Sequence, residues 1–145
     1  MDRRVDVDVV KEAIQKTNAL DMESGTFIMV GYPGENEKDI NDTIIYLKAA
    51  NPTHFTITVA YPIKGTSLYN DIEDKITIKP NWETSTDRDI DFTRTYPRKF
   101  YDYAVRRIVN EVNFNKEKLN DKNLKKMIGY KLKSSLARGL MKLSK

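Results

Sequence analysis

The chain has 145 residues, 39% hydrophobic and 32% charged, which is enough apolar content for one folded domain and too much for a disordered chain. It has no cysteine and one histidine, so its own residues cannot build a thiolate zinc site, a disulfide framework, a cysteine nucleophile or an iron–sulfur cluster. No apolar run reaches the roughly 18 residues of a membrane span and no signal peptide is evident, so the expected location is cytoplasmic and no transmembrane segment is expected.

The net charge of +4 is unevenly spread. Residues 116–145 carry ten Lys or Arg against Glu117 and Asp121, while residues 1–115 carry 15 basic against 19 acidic side chains. The basic character therefore belongs to a C-terminal segment on a mildly acidic body.

Taken in order, Val9, Val10, Ala13, Ile14, Thr17 and Leu20 recur at helical spacing, which predicts a helix over 7–20 capped by Asp6 or Asp8. Residues 25–31 form a nearly continuous apolar run between two glycines, the pattern of a strand buried on both faces of a parallel sheet. A turn at Tyr32-Pro33-Gly34-Glu35 leads to a helix over 37–50, capped by Asn36, striped by Ile40, Thr43, Ile44, Leu47 and Ala50, and stopped at Asn51-Pro52. Residues 53–60 read as a second strand. Strand, helix and strand make a βαβ unit, which requires parallel strands joined by a crossover.

The alternation then ends. Ser67 is placed to cap a short helix through Leu68, Tyr69 and Ile72, residues 75–79 suit a short strand, and 80–91 read as an irregular loop anchored by Trp82. Pro97 opens a helix carrying Phe100, Tyr103, Ala104, Arg107 and Ile108 to about residue 114. A last helix, expected over about 120–143, has Leu124, Met127, Ile128, Leu132, Leu136, Leu140 and Leu143 on one stripe and most of its lysines opposite. That stripe needs a partner surface, on this domain or a neighbour. Membrane-surface or nucleic-acid binding is the other use of such a helix, and the lack of aromatic residues beside the basic stretch disfavours nucleic acid.

Ligand sites in α/β folds lie at the C-terminal ends of parallel strands, which singles out two loops. In Gly31-Tyr32-Pro33-Gly34-Glu35 the glycines permit positive φ and close backbone approach, and Glu35 either accepts hydrogen bonds from an amine or hydroxyl or only complements the following helix dipole. Tyr61-Pro62-Ile63-Lys64-Gly65-Thr66 repeats the composition after the second strand. Neither loop is a Walker A or a GxGxxG sequence. His54 sits in a β-branched run and reads as a strand histidine, the acids between Asp71 and Asp91 read as solvated, and no nucleophile–base pair supports a complete hydrolase or transferase. No catalytic and no metal-binding residue is assigned.

The segment from Gly25 through Gly31-Tyr32-Pro33-Gly34-Glu35, the helix with Asp39, Ile40, Thr43 and Ile44, the Asn51-Pro52 break, and Tyr61-Pro62-Ile63-Lys64-Gly65-Thr66-Ser67-Leu68-Tyr69 resemble the C-terminal half of a radical S-adenosylmethionine enzyme core. That family shows G-x-P-G-E and, one βα unit later, P-x-P-G-T-x-L-Y; here Ile63-Lys64 replaces the usual Pro before Gly65. Trp82-Glu83 and Phe100-Tyr101 are similar to the cobalamin-domain-associated branch that includes anaerobic magnesium-protoporphyrin ester cyclase-like proteins.

The resemblance implies an α/β partial (β/α) barrel fragment with a small parallel sheet followed by C-terminal helices. Residues 1–70 would be the C-terminal half of the barrel, 71–114 a loop and helix packed on it, and 115–145 the basic helix. It further implies that an upstream half of the same polypeptide holds the 4Fe-4S cluster through C-x3-C-x2-C, with S-adenosylmethionine, a small-molecule substrate and, in this branch, cobalamin. Carried onto this sequence, Val30, Gly31, Tyr32, Pro33, Gly34, Glu35, Tyr61, Pro62, Gly65 and Thr66 line or shape the cofactor pocket. Tight cofactor binding by this chain alone is not expected. A strand without its neighbour leaves an open edge, so dimerisation through that edge or the last helix is expected. The alternative is a binding or scaffold module that docks a partner with the basic helix.

Overall fold

The computed structural model describes residues 5–78, 81, 83, 84, 86–120 and 123–145. Its elements are α1 (Val7–Ala19), β1 (Gly25–Val30), α2 (Glu37–Ala50), β2 (His54–Val59), α3 (Ser67–Ile72), β3 (Ile76–Ile78), β4 (Asp91–Phe92), α4 (Arg98–Leu119) and α5 (Leu124–Leu143). Single 3₁₀ turns occupy Glu73–Lys75 and Asp87–Asp89. The molecule is mixed α/β with a small parallel sheet and C-terminal helices, as the sequence leads one to expect.

β1 and β2 pair in parallel, with Thr26 opposite Phe55, Ile28 opposite Ile57 and Val30 opposite Val59. Those pairs share one face because side chains alternate along a strand. Val30 is fully buried there, and Ile28, Phe55, Ile57 and Val59 pack on the core formed by Ile40, Ile44 and Leu47 of α2 and Phe100, Tyr101, Ala104, Ile108 and Val112 of α4. The other face carries Phe27 and Met29 beside Thr56 and Thr58. Phe27 is 56% exposed. The expectation of a strand buried on both faces is thus corrected: only one face of β1 has a helix layer.

The short strand expected over 75–79 does not join this sheet. β3 pairs antiparallel with β4, Ile76 facing Phe92, in a separate two-stranded sheet. Among the described residues β1 and β2 therefore each keep a free edge. Lys79, Pro80 and Trp82, expected in the strand end and loop anchor, lie outside the described residues.

α2 starts and stops where its sequence directs. Asn36 accepts from Lys38 N–H at 2.8 Å while Asp39 accepts from Asn36 N–H at 2.8 Å, a reciprocal capping box, and Asn51 ends the helix in the left-handed region at φ 49°. Asp6 caps α1, accepting from Asp8 N–H at 2.7 Å. α1 buries only Ile14, and Val9 and Leu20 of its expected stripe are exposed. Its C-terminal end is tied down by polar groups: Ser24 donates to Asn18 at 2.6 Å, and Asn18 donates to the Asn51 carbonyl at 2.9 Å.

α4 runs to Leu119, beyond the expected end near 114, and so crosses the boundary drawn at 115. α5 starts at Leu124, its first turn capped by Asn123, which accepts from Lys126 N–H at 3.1 Å. It meets α4 through Ser134, Ala137 and Met141, leaving Leu124, Ile128, Leu132, Leu136 and Leu143 exposed. Met127 and Leu140 are half-buried, but the rest of the expected leucine stripe does not pack on this domain, and most of the lysines flank it instead of lying opposite.

Glu111 clamps three helices. It accepts from Lys48 of α2 and, at 2.8 and 3.0 Å, from Ser134 and Lys131 of α5. Burial opposes the charge, but the hydrogen bonds from Lys48, Ser134 and Lys131 outweigh it and hold the carboxyl at about 2, below its ordinary 4.5. A folded-state value below the unfolded one gives stability that is present above pH 4.5 and lost as pH falls towards 2. Urea titrations should show Glu111→Ala less stable than wild type by about 2 kcal/mol at pH 7, the gap closing as pH falls through that window. A constant gap would mean that packing, not the charged clamp, is what the variant lost.

Candidate functional site

The C-terminal ends of β1 and β2 come together at one rim, as parallel pairing requires. Gly31, Gly34 and Gly65 all have positive φ, at 80°, 86° and 86°, so the glycines of both loops serve the backbone geometry that L-residues resist. Only Gly31 is also crowded: a Cβ there would lie 3.2 Å from Val59 Cγ1 and 3.3 Å from Tyr101 Cγ, while the space beside Gly34 and Gly65 is open.

Most polar groups of the rim are already satisfied internally. The Glu35 carboxylate accepts from Gly31 N–H, and the Glu35 carbonyl accepts from Tyr101 OH at 3.0 Å. Ala60 N–H donates to the Val30 carbonyl at 2.7 Å, and the Ala60 carbonyl accepts from Arg94 Nη2 at 2.8 Å. Arg94, with a side chain 1% exposed, also pairs with Asp91 and lies 3.8 Å from the centre of the Phe92 ring. Burial raises the Glu35 carboxyl above its ordinary range, opposed by the Gly31 hydrogen bond and assisted by Asp39. Burial and then the Glu35 charge raise the Tyr101 hydroxyl.

The residues singled out in sequence therefore separate. The Val30 side chain is in the helix-covered core and Pro62 is buried. Gly31 is buried against Tyr101, and Glu35 holds the turn. Tyr32, Pro33 and Tyr61 are half-buried, whereas Gly34, Gly65 and Thr66 are exposed. The cap of α3 is Thr66, not Ser67: its Oγ accepts from Tyr69 N–H at 3.4 Å and donates to the Ile63 carbonyl at 2.7 Å. His54 is exposed beside Glu23, its Nε2 3.3 Å from that carboxylate.

A groove of about 590 Å³ runs along β2 below Tyr61, floored by Phe27, Thr56 and Thr58 and walled by Arg88, Arg98, Asp102 and Arg106. Arg88 stands 5.8 Å from the centre of the Tyr61 ring, and none of the three arginines is in an ion pair among the described residues. The groove combines an apolar floor with guanidinium donors, the chemistry that accepts a carboxylate- or phosphate-bearing ligand. Sequence reasoning missed these cations. Arg98, Asp102 and Arg106 do recur at four-residue spacing on one helix face, but Arg88 lies in an isolated 3₁₀ turn with no periodic signal.

A second groove, of about 540 Å³, lies on the β1 side, between Phe27 and Met29 of that strand and Val5, Val7 and Val10 at the start of the chain's first helix. Neither groove brings metal-ligating groups together: among the described residues no cluster of three His, Cys, Asp or Glu is present. For an implied 4Fe-4S cluster, a chain without cysteine has no thiolate ligand to give. For S-adenosylmethionine, the Val30 and Ala60 carbonyls and Gly31 N–H already have partners, and the β2 groove offers Tyr61, Phe27 and threonines beside cationic side chains.

Tyr101→Phe should lower stability by about 1 kcal/mol by losing the Glu35 carbonyl bond, and Gly31→Ala by more than about 1 kcal/mol through the left-handed φ and the contact with the Tyr101 ring. Glu35→Gln should become more stable relative to wild type as pH rises above 4.5, because a carboxyl raised on folding contributes stability that is lost with rising pH. Parallel denaturant curves at pH 4 and 8 check all three; an unchanged Glu35→Gln gap would contradict the burial of that charge. No family model matches the chain and no curated protein matches it, so its function is inferred from residues and geometry.

Proposed function

We propose that the chain is the C-terminal part of a radical S-adenosylmethionine protein, forming the distal wall of its cofactor and substrate pocket and performing no catalysis alone. The parallel pair β1–β2 would be the fifth and sixth strands of a partial (β/α) barrel, with the bare face of Phe27, Met29, Thr56 and Thr58 turned to the barrel interior. The observation that carries this reading is the free edge of β1, flanked by an apolar groove of about 540 Å³ with Val7 65% and Phe27 56% exposed. An unpaired apolar strand edge of this kind is stabilised by a further strand, which an upstream segment would supply.

In that arrangement the chain's own residues position and exclude. Bound at an iron–sulfur cluster held elsewhere, S-adenosylmethionine supplies radical chemistry on reductive cleavage. Tyr32 and Tyr61 wall the strand ends, Gly34 and Gly65 leave space for close approach, and Phe27 and Met29 keep water from the sheet face. Arg88, Arg98 and Arg106 offer donors to a carboxylate of the cofactor or of a small-molecule substrate. Cobalamin belongs to the same proposal, through the Phe100-Tyr101 resemblance.

A second reading is a binding module that uses α5 to dock a partner, favoured by the exposure of its leucine stripe. Dimerisation through the open β1 edge would serve either reading. Translation of the genomic DNA upstream of the first codon separates the two. A continuous frame with C-x3-C-x2-C ahead of Gly31 is expected; a stop codon and ribosome-binding site immediately upstream would overturn the radical S-adenosylmethionine reading. The purified chain should also carry no iron and leave S-adenosylmethionine intact under reductant, and cleavage by it would refute the assignment of catalysis to an upstream half.

A further inference from the structure

α5 presents its apolar residues outward. Leu124 is 68% exposed, Ile128 53%, Leu132 66%, Leu136 66% and Leu143 86%, while the face against α4 is built from Ser134, Ala137 and Met141. At 100° per residue, Leu124 through Leu136 sweep about 120° of the helix circumference, centred opposite the packed face. The same geometry places Lys131, Arg138 and Lys142 along one border of the stripe, Lys133 along the other, and Lys125 within it.

The charge on this surface has one sign. From Leu124 to Leu143 there are six basic and no acidic residues. Lys131 is held by Glu111 at 3.0 Å and Lys126 by Glu117 at 3.2 Å, but Lys125, Lys133, Arg138 and Lys142 have no ion pair among the described residues. An aliphatic stripe this exposed is unfavourable in water, and a cationic border without counter-ions attracts an anionic surface.

A covering partner has to satisfy both features. A second copy laid on the stripe would bring two strongly basic segments together, a like-charge contact that opposes two-fold docking. Nucleic acid would neutralise the lysines but leave the leucines in water, and the stripe contains no aromatic side chain on which bases could stack. The surface of an anionic bilayer satisfies both: branched aliphatic side chains enter the acyl boundary while flanking Lys and Arg extend to the phosphates.

We propose that the outward face of α5 is a membrane-surface docking site, on which the chain lies against anionic phospholipid through Leu124, Ile128, Leu132, Leu136 and Leu143 with the bordering cations on lipid phosphates. The helix lies in the interface and does not span it; no helix of the described residues is long and apolar enough to cross a membrane. This inference rests on α5 alone and is independent of the barrel reading.

The test is co-sedimentation of the 145-residue chain with vesicles of phosphatidylcholine alone or of phosphatidylcholine with phosphatidylglycerol. Binding to the anionic vesicles that weakens with added salt is expected, with little binding to the neutral ones. Leu132→Asp/Leu136→Asp, two exposed positions whose replacement leaves the core intact, should weaken it by at least about tenfold. Lys125→Gln/Lys133→Gln should weaken binding to anionic vesicles only. Circular dichroism of each variant checks that the fold is kept. No binding to anionic vesicles would overturn the proposal, as would binding that survives the aspartate pair. So would a dimer in sedimentation equilibrium that the aspartate pair abolishes in a chain that ignores lipid.

Discussion

The contact on which the molecule depends is that between Tyr101 and the turn after β1. A two-stranded sheet has little core of its own, so its covered face must be completed by helices. Tyr101, fully buried near the start of α4, fits against Gly31, where the turn has no Cβ, and hydrogen-bonds the Glu35 carbonyl. Gly31 is thus needed twice over, for its φ of 80° and for the proximity of the Tyr101 ring. Glu35 then closes the same turn from the other side by accepting from Gly31 N–H. A chain segment 66 positions downstream, through Tyr101, in this way fixes the shape of the rim. The glycine-rich turn, which alone reads equally as a ligand loop, has a packing reason of its own.

What this arrangement leaves uncovered is as informative as what it buries. Helices α2 and α4 supply one layer, and among the described residues nothing equivalent stands over Phe27 and Thr56. Both strand edges are free and each runs beside a groove, one apolar on the β1 side and one cationic on the β2 side. Unpaired strand N–H and C=O groups beside exposed apolar side chains form a surface that strands are drawn to extend. The two edges differ in chemistry, so they suit different neighbours: a further apolar strand fits the first, an anionic group the second.

Much of the architecture is legible in the sequence because it is written locally. Asn36, Asp39 and Asn51 specify the ends of α2 through groups within a few residues of each other, and the stripe of Ile40, Ile44 and Leu47 needs only one helical period to be seen. Burial is not local. The run of residues 25–31 reads as a strand covered on both faces, yet whether a second layer exists depends on elements elsewhere, and here Phe27 faces solvent. The same limit applies at the rim. Thr66 and Ser67 are equally plausible caps by residue type, and only the backbone geometry, with Thr66 extended at φ −93° and ψ 157°, selects the first. Arg88 joins Arg98 and Arg106 by tertiary placement, and no spacing in the chain announces it.

α5 shows the sharpest form of this limit. Its sequence contains two candidate faces, one of leucines and one of Ser134, Ala137 and Met141, and periodicity alone favours the more hydrophobic as the buried one. The helix packs with the other. Small side chains allow close approach to α4, Ser134 reaches Glu111 at 2.8 Å, and Glu111 in turn gathers Lys48 and Lys131 into the same contact. A turn of the helix that buried the leucines would take Ser134 away from that carboxylate and leave a half-buried charge with fewer donors. The polar clamp and the close approach of small side chains both belong to the face that is buried. The exposed stripe, with cations along both borders, follows from that packing, so the surface available to a partner is set by the contacts on the opposite side of the helix.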